Sequence, residues 1–333
     1  GRQGMMLAQR YPTAFDGILA GAPALNWGGL MGGLYHPQAV MNGLNDYPAD
    51  CEFEAITAKA IEACDGLDGV YDNIIAQPAL CKFDPFTVVG QPAACGNNTN
   101  TTISQTAAIV ANETWSGILS QQGRIIYPGY SRDAPLATIT NTGCVATGNC
   151  SLTAWALGSD WFQYYVAKNV SFDLTTITSA NLSRFVRAGM QEYDSIIGTN
   201  DADLTNLKNS GTKLLSWHGI ADDYIPVGGT IDYYNRVAAL DTGVAEYYKL
   251  FLAPGVHHCS GGLGAAPIAI LDQLIAWVEN GTSPQTVPAK GTALVNGTFL
   301  KRNLCAYPSV SVYQGGNGSL ASSYKCVNPT QLE

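Results

Sequence analysis

The sequence predicts an α/β fold, a mainly parallel sheet covered by helices, with a large insertion splitting it. Three observations carry that expectation. Short apolar runs ending in glycine turns alternate with amphipathic stretches of helical period. The alternation is confined to residues 1–32 and 195–333, and the segment 33–194 between them has another texture. Of 333 residues 46% are hydrophobic and 13% charged, so a sizeable core is available.

Residues 4–11, GMMLAQRY, consist of unbranched helix formers with apolar positions on one side, and Pro12 follows. GILAGA, 17–22, has the small apolar residues of a short buried strand. NWGGLMGGLYHP, 26–37, reads as a glycine-rich connection. The middle segment then alternates amphipathic helical stretches such as CEFEAITAKAIEAC with polar loops and turns. It holds six of the nine cysteines, which reads as a subdomain stapled by disulfides.

The α/β texture returns after residue 205. GTKLLSWHG, 211–219, is a buried strand ending in a glycine turn, and GGTIDYYNRVAAL, 228–240, is a helix with Thr230 as a candidate cap. AEYYKLFLAPG, 245–255, is the next strand. APIAILDQLIAWVENG, 266–281, is a helix with Pro267 in its first turn and Gly281 just past its end. The tail, 286–333, reads as turn-rich and carries Cys305 and Cys326. Functional residues of such sheets lie in loops at the carboxyl ends of the strands, here HGIADDYIP and PGVHHCSGG.

Composition narrows the function. A net charge of −9 and an isoelectric point near 4.8 argue against a nucleic-acid partner, which needs a basic face. No apolar run approaches the roughly 20 residues of a membrane span. The cysteines lack paired C-x-x-C spacing, so disulfides are expected rather than a zinc site. Nine Asn-X-Ser/Thr sequons, at Asn97, Asn100, Asn112, Asn149, Asn169, Asn181, Asn280, Asn296 and Asn317, point with the cysteines to a secreted, extracellular glycoprotein.

The two loops supply the halves of an acid–base pair, Asp222 and His258. A histidine between a carboxylate and a hydroxyl can take the nucleophile's proton and return it to the leaving group, while the carboxylate fixes its tautomer. In α/β-hydrolases the order along the chain is Ser, Asp, His, and Asp222 and His258 keep the order of the last two. The bland reading makes them a turn residue and a loop residue, and spacing does not separate the two.

GRQGMMLAQRYPTAFDGILAGAPA, KLLSWHGIADDYIP and APGVHHCSGG together resemble the tannase/feruloyl esterase family of α/β-hydrolases, over the chain from Gly1 to about Cys326. The resemblance implies an α/β-hydrolase domain (1–32 and 195–333) with an inserted lid domain (33–194). It also implies that Asp222 and His258 are the triad Asp and His. Cys259 would form a disulfide with a cysteine beside the nucleophile, outside this chain. The nucleophilic Ser itself would lie three residues before Gly1, in a missing N-terminal segment, so this polypeptide alone is expected to be inactive. The implied substrate is an aromatic acyl ester, most plausibly a feruloyl (hydroxycinnamoyl) ester of plant cell-wall material, with a galloyl ester as the tannase alternative. A non-catalytic fragment or pseudoenzyme is the alternative of another class.

CDGLDGVYDNII, 64–75, interleaves carboxylates with glycines but departs from EF-hand spacing, so alone it reads as a solvated acidic turn. The resemblance implies a structural Ca²⁺ there, held by Asp65, Asp68 and Asp72 and by the carbonyls of Val70 and Ile74. It also implies Cys64–Cys81 and Cys305–Cys326 disulfides. Cys51, Cys95, Cys144 and Cys150 leave three connectivities open. His218 reads as structural and His257 as secondary to His258. The aromatic stretch 156–169 reads either as ordinary core or as an acyl pocket.

Overall fold

A computed structural model describes residues 1–333 except 97–100, 121, 147–148, 153–155, 294–298 and 329–333. The sequons at Asn97, Asn100 and Asn296 lie outside the described residues, as does the Asn149 side chain. Strands Gly17–Gly21 (β1), Lys213–Gly219 (β2) and Tyr248–Ala253 (β3) form a parallel sheet in the order β1–β2–β3. Gly21 pairs with Trp217 and Gly219 with Ala253, so the loops after β2 and β3 leave the sheet side by side.

Helices cover both faces. Leu214, Tyr248 and Leu250 pack against Met5 and Ala8 of helix Arg2–Arg10 (α1) and against Tyr233 and Val237 of helix Val227–Leu240. On the other face Leu215, Trp217 and Phe251 meet Leu274 and Trp277 of helix Ile270–Asn280, with Val287, Leu300 and Leu304 behind them. Each such fully buried large side chain contributes on the order of 1.5–3 kcal/mol, enough to fix the strand ends firmly.

The glycine-rich stretch at 26–37 is not a connection. It lies in an 18-residue helix, Trp27–Leu44 (α2), whose residues 28–41 are all buried. Glycine costs each helical position about 1 kcal/mol, and packing offsets it here. A Cβ at Gly32 would stand 2.3 Å from Val186 of helix Ser179–Ile197, and one at Gly33 would stand 2.9 Å from Tyr127. The glycines are a close-packing face, and the seam drawn between residues 32 and 33 falls inside this helix.

Three other elements differ from expectation. Thr230 lies inside helix Val227–Leu240, whose N-cap is Pro226, because its hydroxyl faces His218 instead of a backbone amide. Pro267 precedes its helix and pairs, with Ala266, along strand Thr286–Ala293, an edge position that needs no proline N–H. Gly281, at φ +68°, closes that helix as expected. The tail is largely strand: Thr286–Ala293 pairs with Phe299–Cys305, and Val310–Tyr313 with Tyr324–Val327. Its prolines, glycines and asparagines mask the alternation.

Four disulfides form: Cys64–Cys81 and Cys305–Cys326 as implied, with Cys51–Cys95 and Cys144–Cys150 resolving the open connectivity. Cys259 is free and exposed.

At the end of β2, a Cβ on Gly219 would meet the carbonyl oxygens of Val256 at 2.2 Å and His257 at 2.6 Å. Gly219→Ala is therefore expected to push the histidine loop off the sheet, lowering stability by about 1–3 kcal/mol in urea unfolding.

Candidate active site

The β2 loop turns on Asp222. Its Oδ1 accepts the N–H groups of Tyr224 at 2.8 Å and Ile225 at 2.7 Å, which folds residues 222–225 around the carboxylate and buries it. The β3 loop is a tight reversal closed by a Val256–Gly262 bridge and by the Gly264 N–H donating to the Gly255 carbonyl at 2.9 Å. Cys259 sits at its tip at φ +59°, and Gly261 and Gly262 also have positive φ.

These loops bring the two expected residues together. His258 Nδ1 donates to Asp222 Oδ2 at 2.9 Å, and the ring is 36% exposed where Asp222 is fully buried, so Nε2 is the end turned toward an incoming group. The His258 backbone N–H approaches Asp223 Oδ1 at 3.4 Å. Two contacts had no clear signal in the sequence. The Tyr224 ring lies against the His258 ring with centroids 5.4 Å apart, and the Tyr130 hydroxyl donates to the Tyr224 carbonyl at 3.2 Å.

Burial alone would raise the Asp222 pKa. Hydrogen bonds from His218 and His258 and from the Ile225 amide outweigh it and hold the carboxyl well below the usual carboxylate range. His258 moves the other way. Its bond to Asp222 raises its pKa against the effect of burial, and the Asp222 and Asp223 charges add to the rise. Residue 1 lies against the end of β1, where a Cβ on Gly1 would meet the Gly21 carbonyl oxygen and Pro23.

The acidic loop lies elsewhere, against the C-terminal strands. Asp68, Asp72 and Ile74 line a cavity of about 70 Å³ with Arg302, Tyr324 and Ser311. Asp65 Oδ1 accepts the N–H groups of Asp72 and Ile74 at 3.0 and 3.2 Å, and Asp68 Oδ1 accepts that of Val70 at 3.0 Å. Burial, reinforced by Asp68 and Asp65, pushes Asp72 up to about 6 although Arg302 lies 2.9 Å from its Oδ2. Asp72 Oδ1 is buried with no hydrogen-bond partner. That orphan oxygen and the crowded negative charge suit a hard cation. Even so, among the described residues no three His, Cys, Asp or Glu side chains are gathered to hold one, so backbone carbonyls would have to complete the shell.

In the aromatic stretch 156–169 Trp161 and Phe162 are core, while Tyr164 and Tyr165 are exposed. Trp161 stacks on Tyr165 and packs edge-on to Tyr193, and Phe162 packs on Tyr35 and Phe185. Among the described residues no helix is long and apolar enough to cross a membrane.

A parallel α/β layer carrying an Asp–His acid–base pair on adjacent strand-end loops defines the class of this chain. The family described as tannase and feruloyl esterase matches residues 1–327, and the chain belongs to it. It is 42% identical over 332 residues to a probable feruloyl esterase of Arthroderma benhamiae, covering 98% of this chain and 62% of that protein. It is 30% identical over 379 residues to the mono(2-hydroxyethyl) terephthalate hydrolase of Piscinibacter sakaiensis, covering 99% of this chain and 62% of that one. The solved tannin acyl hydrolase of Aspergillus niger superposes with a TM-score of 0.89 at 29% identity, over 99% of this chain and 63% of that one. The chain thus spans less than two thirds of the length of these relatives.

The pKa shifts give a direct check. The raised pKa of His258 makes its protonated ring favour the folded state below the unfolded value near 6.5, a contribution lost as pH rises through the folded pKa. For Asp222 the depressed pKa favours folding above about pH 4, and the contribution is lost as pH falls below that. In an NMR titration the His258 ring should have its midpoint above 6.5, and Asp222→Asn should bring that midpoint down.

Proposed function

We propose that the protein of which this chain is part is a secreted serine carboxylesterase with an α/β-hydrolase fold and a lid inserted between β1 and β2. The observation that carries the reading is the His258 Nδ1–Asp222 Oδ2 bond with the imidazole's other edge exposed. In the reaction His258 Nε2 takes the proton of a serine hydroxyl as the serine attacks the ester carbonyl. It then gives the proton to the departing alkoxide, and a water molecule repeats the cycle to release the acid. Asp222 holds the tautomer and stabilises the imidazolium.

The nucleophile belongs to a segment preceding Gly1, as does the cysteine that would bond Cys259. The reading draws support from the place of Gly1 at the end of β1, the strand that pairs with β2. Secretion draws support from four disulfides and from the exposed sequon residues Asn169, Asn280 and Asn317.

The substrate is an ester of an aromatic acid, the chemistry shared by the names of the relatives, and a feruloyl ester first because the 42% identical relative bears that name. The galloyl alternative rests on the likeness to the tannin acyl hydrolase. The full-length protein should hydrolyse methyl ferulate with a higher kcat/KM than methyl gallate. The reverse order would favour the tannase reading, and no turnover of either would sink both.

A Ca²⁺ ion is proposed at the acidic loop, where Asp65, Asp68 and Asp72 would have to close in around it together with the carbonyls of Val70 and Ile74. It would offset the burial, and the mutual repulsion that adds to it, which raise Asp68 and Asp72, and it would satisfy the orphan Asp72 Oδ1. Chelation should lower the Tm of the full-length protein, and Asp68→Ala should lower it equally and abolish the response to chelator. An unchanged Tm in both would overturn the site.

A further inference from the structure

His218 ends β2 fully buried, and its ring links three groups. Nε2 lies 3.1 Å from Asp222 Oδ2 and 3.0 Å from the Ile225 carbonyl. Both neighbours are acceptors, so Nε2 carries the proton. Nδ1 lies 2.8 Å from the hydroxyl of Thr230, which is also fully buried and rides on the helix that follows the Asp222 loop.

The Asp222 carboxylate is therefore saturated by four donors. Oδ1 takes two backbone amides and Oδ2 takes two imidazoles, one buried and one half-exposed. A bland core histidine would need only the Ile225 carbonyl and Thr230. This one spends its N–H on the same oxygen that holds His258, and that has two consequences. The carboxylate cannot rotate without losing donors on both oxygens. Its basicity is also shared, so its grip on a protonated His258 is weaker than in an isolated Asp–His pair.

We propose that His218, braced by Thr230, is a positioning residue for the acid–base pair: it locks Asp222 Oδ2 on His258 Nδ1 and draws off part of that carboxylate's charge, so that His258 gives up its proton at lower pH. The proposal rests on the esterase reading for its catalytic meaning. The other groups acting on the pair are Asp223, Cys259 and the phenols of Tyr127, Tyr130 and Tyr224. The Tyr130 hydroxyl donates to the Tyr224 carbonyl and the Tyr127 hydroxyl has no partner, so neither competes with His218 for Asp222 Oδ2.

The test uses the full-length protein with methyl ferulate and compares His218→Phe, His218→Gln and Thr230→Val with the parent. His218→Phe fills the space without a donor, and glutamine returns an N–H near the Nε2 position. Phenylalanine should lower kcat about 10- to 100-fold with KM little changed. It should also move the acidic limb of the kcat/KM profile upward by about half a pH unit or more. Glutamine should recover most of both, and Thr230→Val should lower kcat about 2- to 10-fold. In parallel, the His258 ring is titrated by NMR in ¹⁵N-histidine-labelled protein, where His218→Phe should raise the midpoint and His218→Gln restore it. A wild-type profile in His218→Phe, or equal damage from glutamine and phenylalanine at matched Tm, overturns the proposal. If the parent cleaves neither methyl ferulate nor methyl gallate, the esterase reading fails and the titration alone decides the positioning role. Should His218→Phe not fold, His218→Gln and Thr230→Val decide: a His258 midpoint unmoved by Thr230→Val, with kcat unchanged, overturns it.

Discussion

A charge buried at the end of a sheet is the constraint on which the functional part of this molecule depends. The Asp222 carboxylate is shielded from water, and an ion in that position would cost several kcal/mol unless its lone pairs were filled. They are filled by two amides of its own loop, by His218 at the end of the same strand and by His258 from the neighbouring strand's loop. Three of these donors belong to β2 and its own loop, and the fourth, His258, reaches the carboxylate because β2 and β3 end side by side. The saturated carboxylate therefore reports on the alignment of these two strands.

The close approach of the two loops follows from small residues. Gly219 lets the Val256–His257 backbone lie directly on the strand end, and the glycines of α2 let that helix press against Tyr127 and Val186. Tyr127 is distant from Asp222 in sequence, yet the same segment delivers Tyr130 to the Tyr224 carbonyl. The inserted segment thereby touches the Asp222 loop through a hydrogen bond as well as by bulk. Tyr224, which carries that carbonyl, also lines the His258 ring.

The sequence was most legible where chemistry and local geometry coincide. Asp222 and His258 follow strands with strong apolar signatures and end at glycine-rich turns, so position in the fold and residue type pointed to the same pair. The pairing of Cys51, Cys95, Cys144 and Cys150 was illegible, because it depends on distances no spacing encodes. The stretch 26–37 misled because glycine lowers helix propensity locally while its close packing is a tertiary gain that no window of sequence contains. Thr230 misled for a related reason: threonine near a helix start suggests a cap, yet its hydroxyl is committed to His218 on another element. The roles of Tyr224 and Tyr130 likewise exist only once the insertion is folded onto the β2 loop.

The four disulfides all close within their own regions. Three lie in the stretch between β1 and β2, one lies in the tail, and none of the four joins either region to the parallel sheet. The insertion meets the tail through the Arg302–Asp72 ion pair and through Ile74, which packs with Val287, Leu300 and Leu304, all of them reversible contacts. Covalent bracing is therefore modular. Thiol reduction would loosen the insertion and the tail while leaving the strands that lead to Asp222 and His258 held by their ladder hydrogen bonds and apolar packing. The alignment of the parallel sheet is thus independent of the thiol chemistry of the regions packed against it.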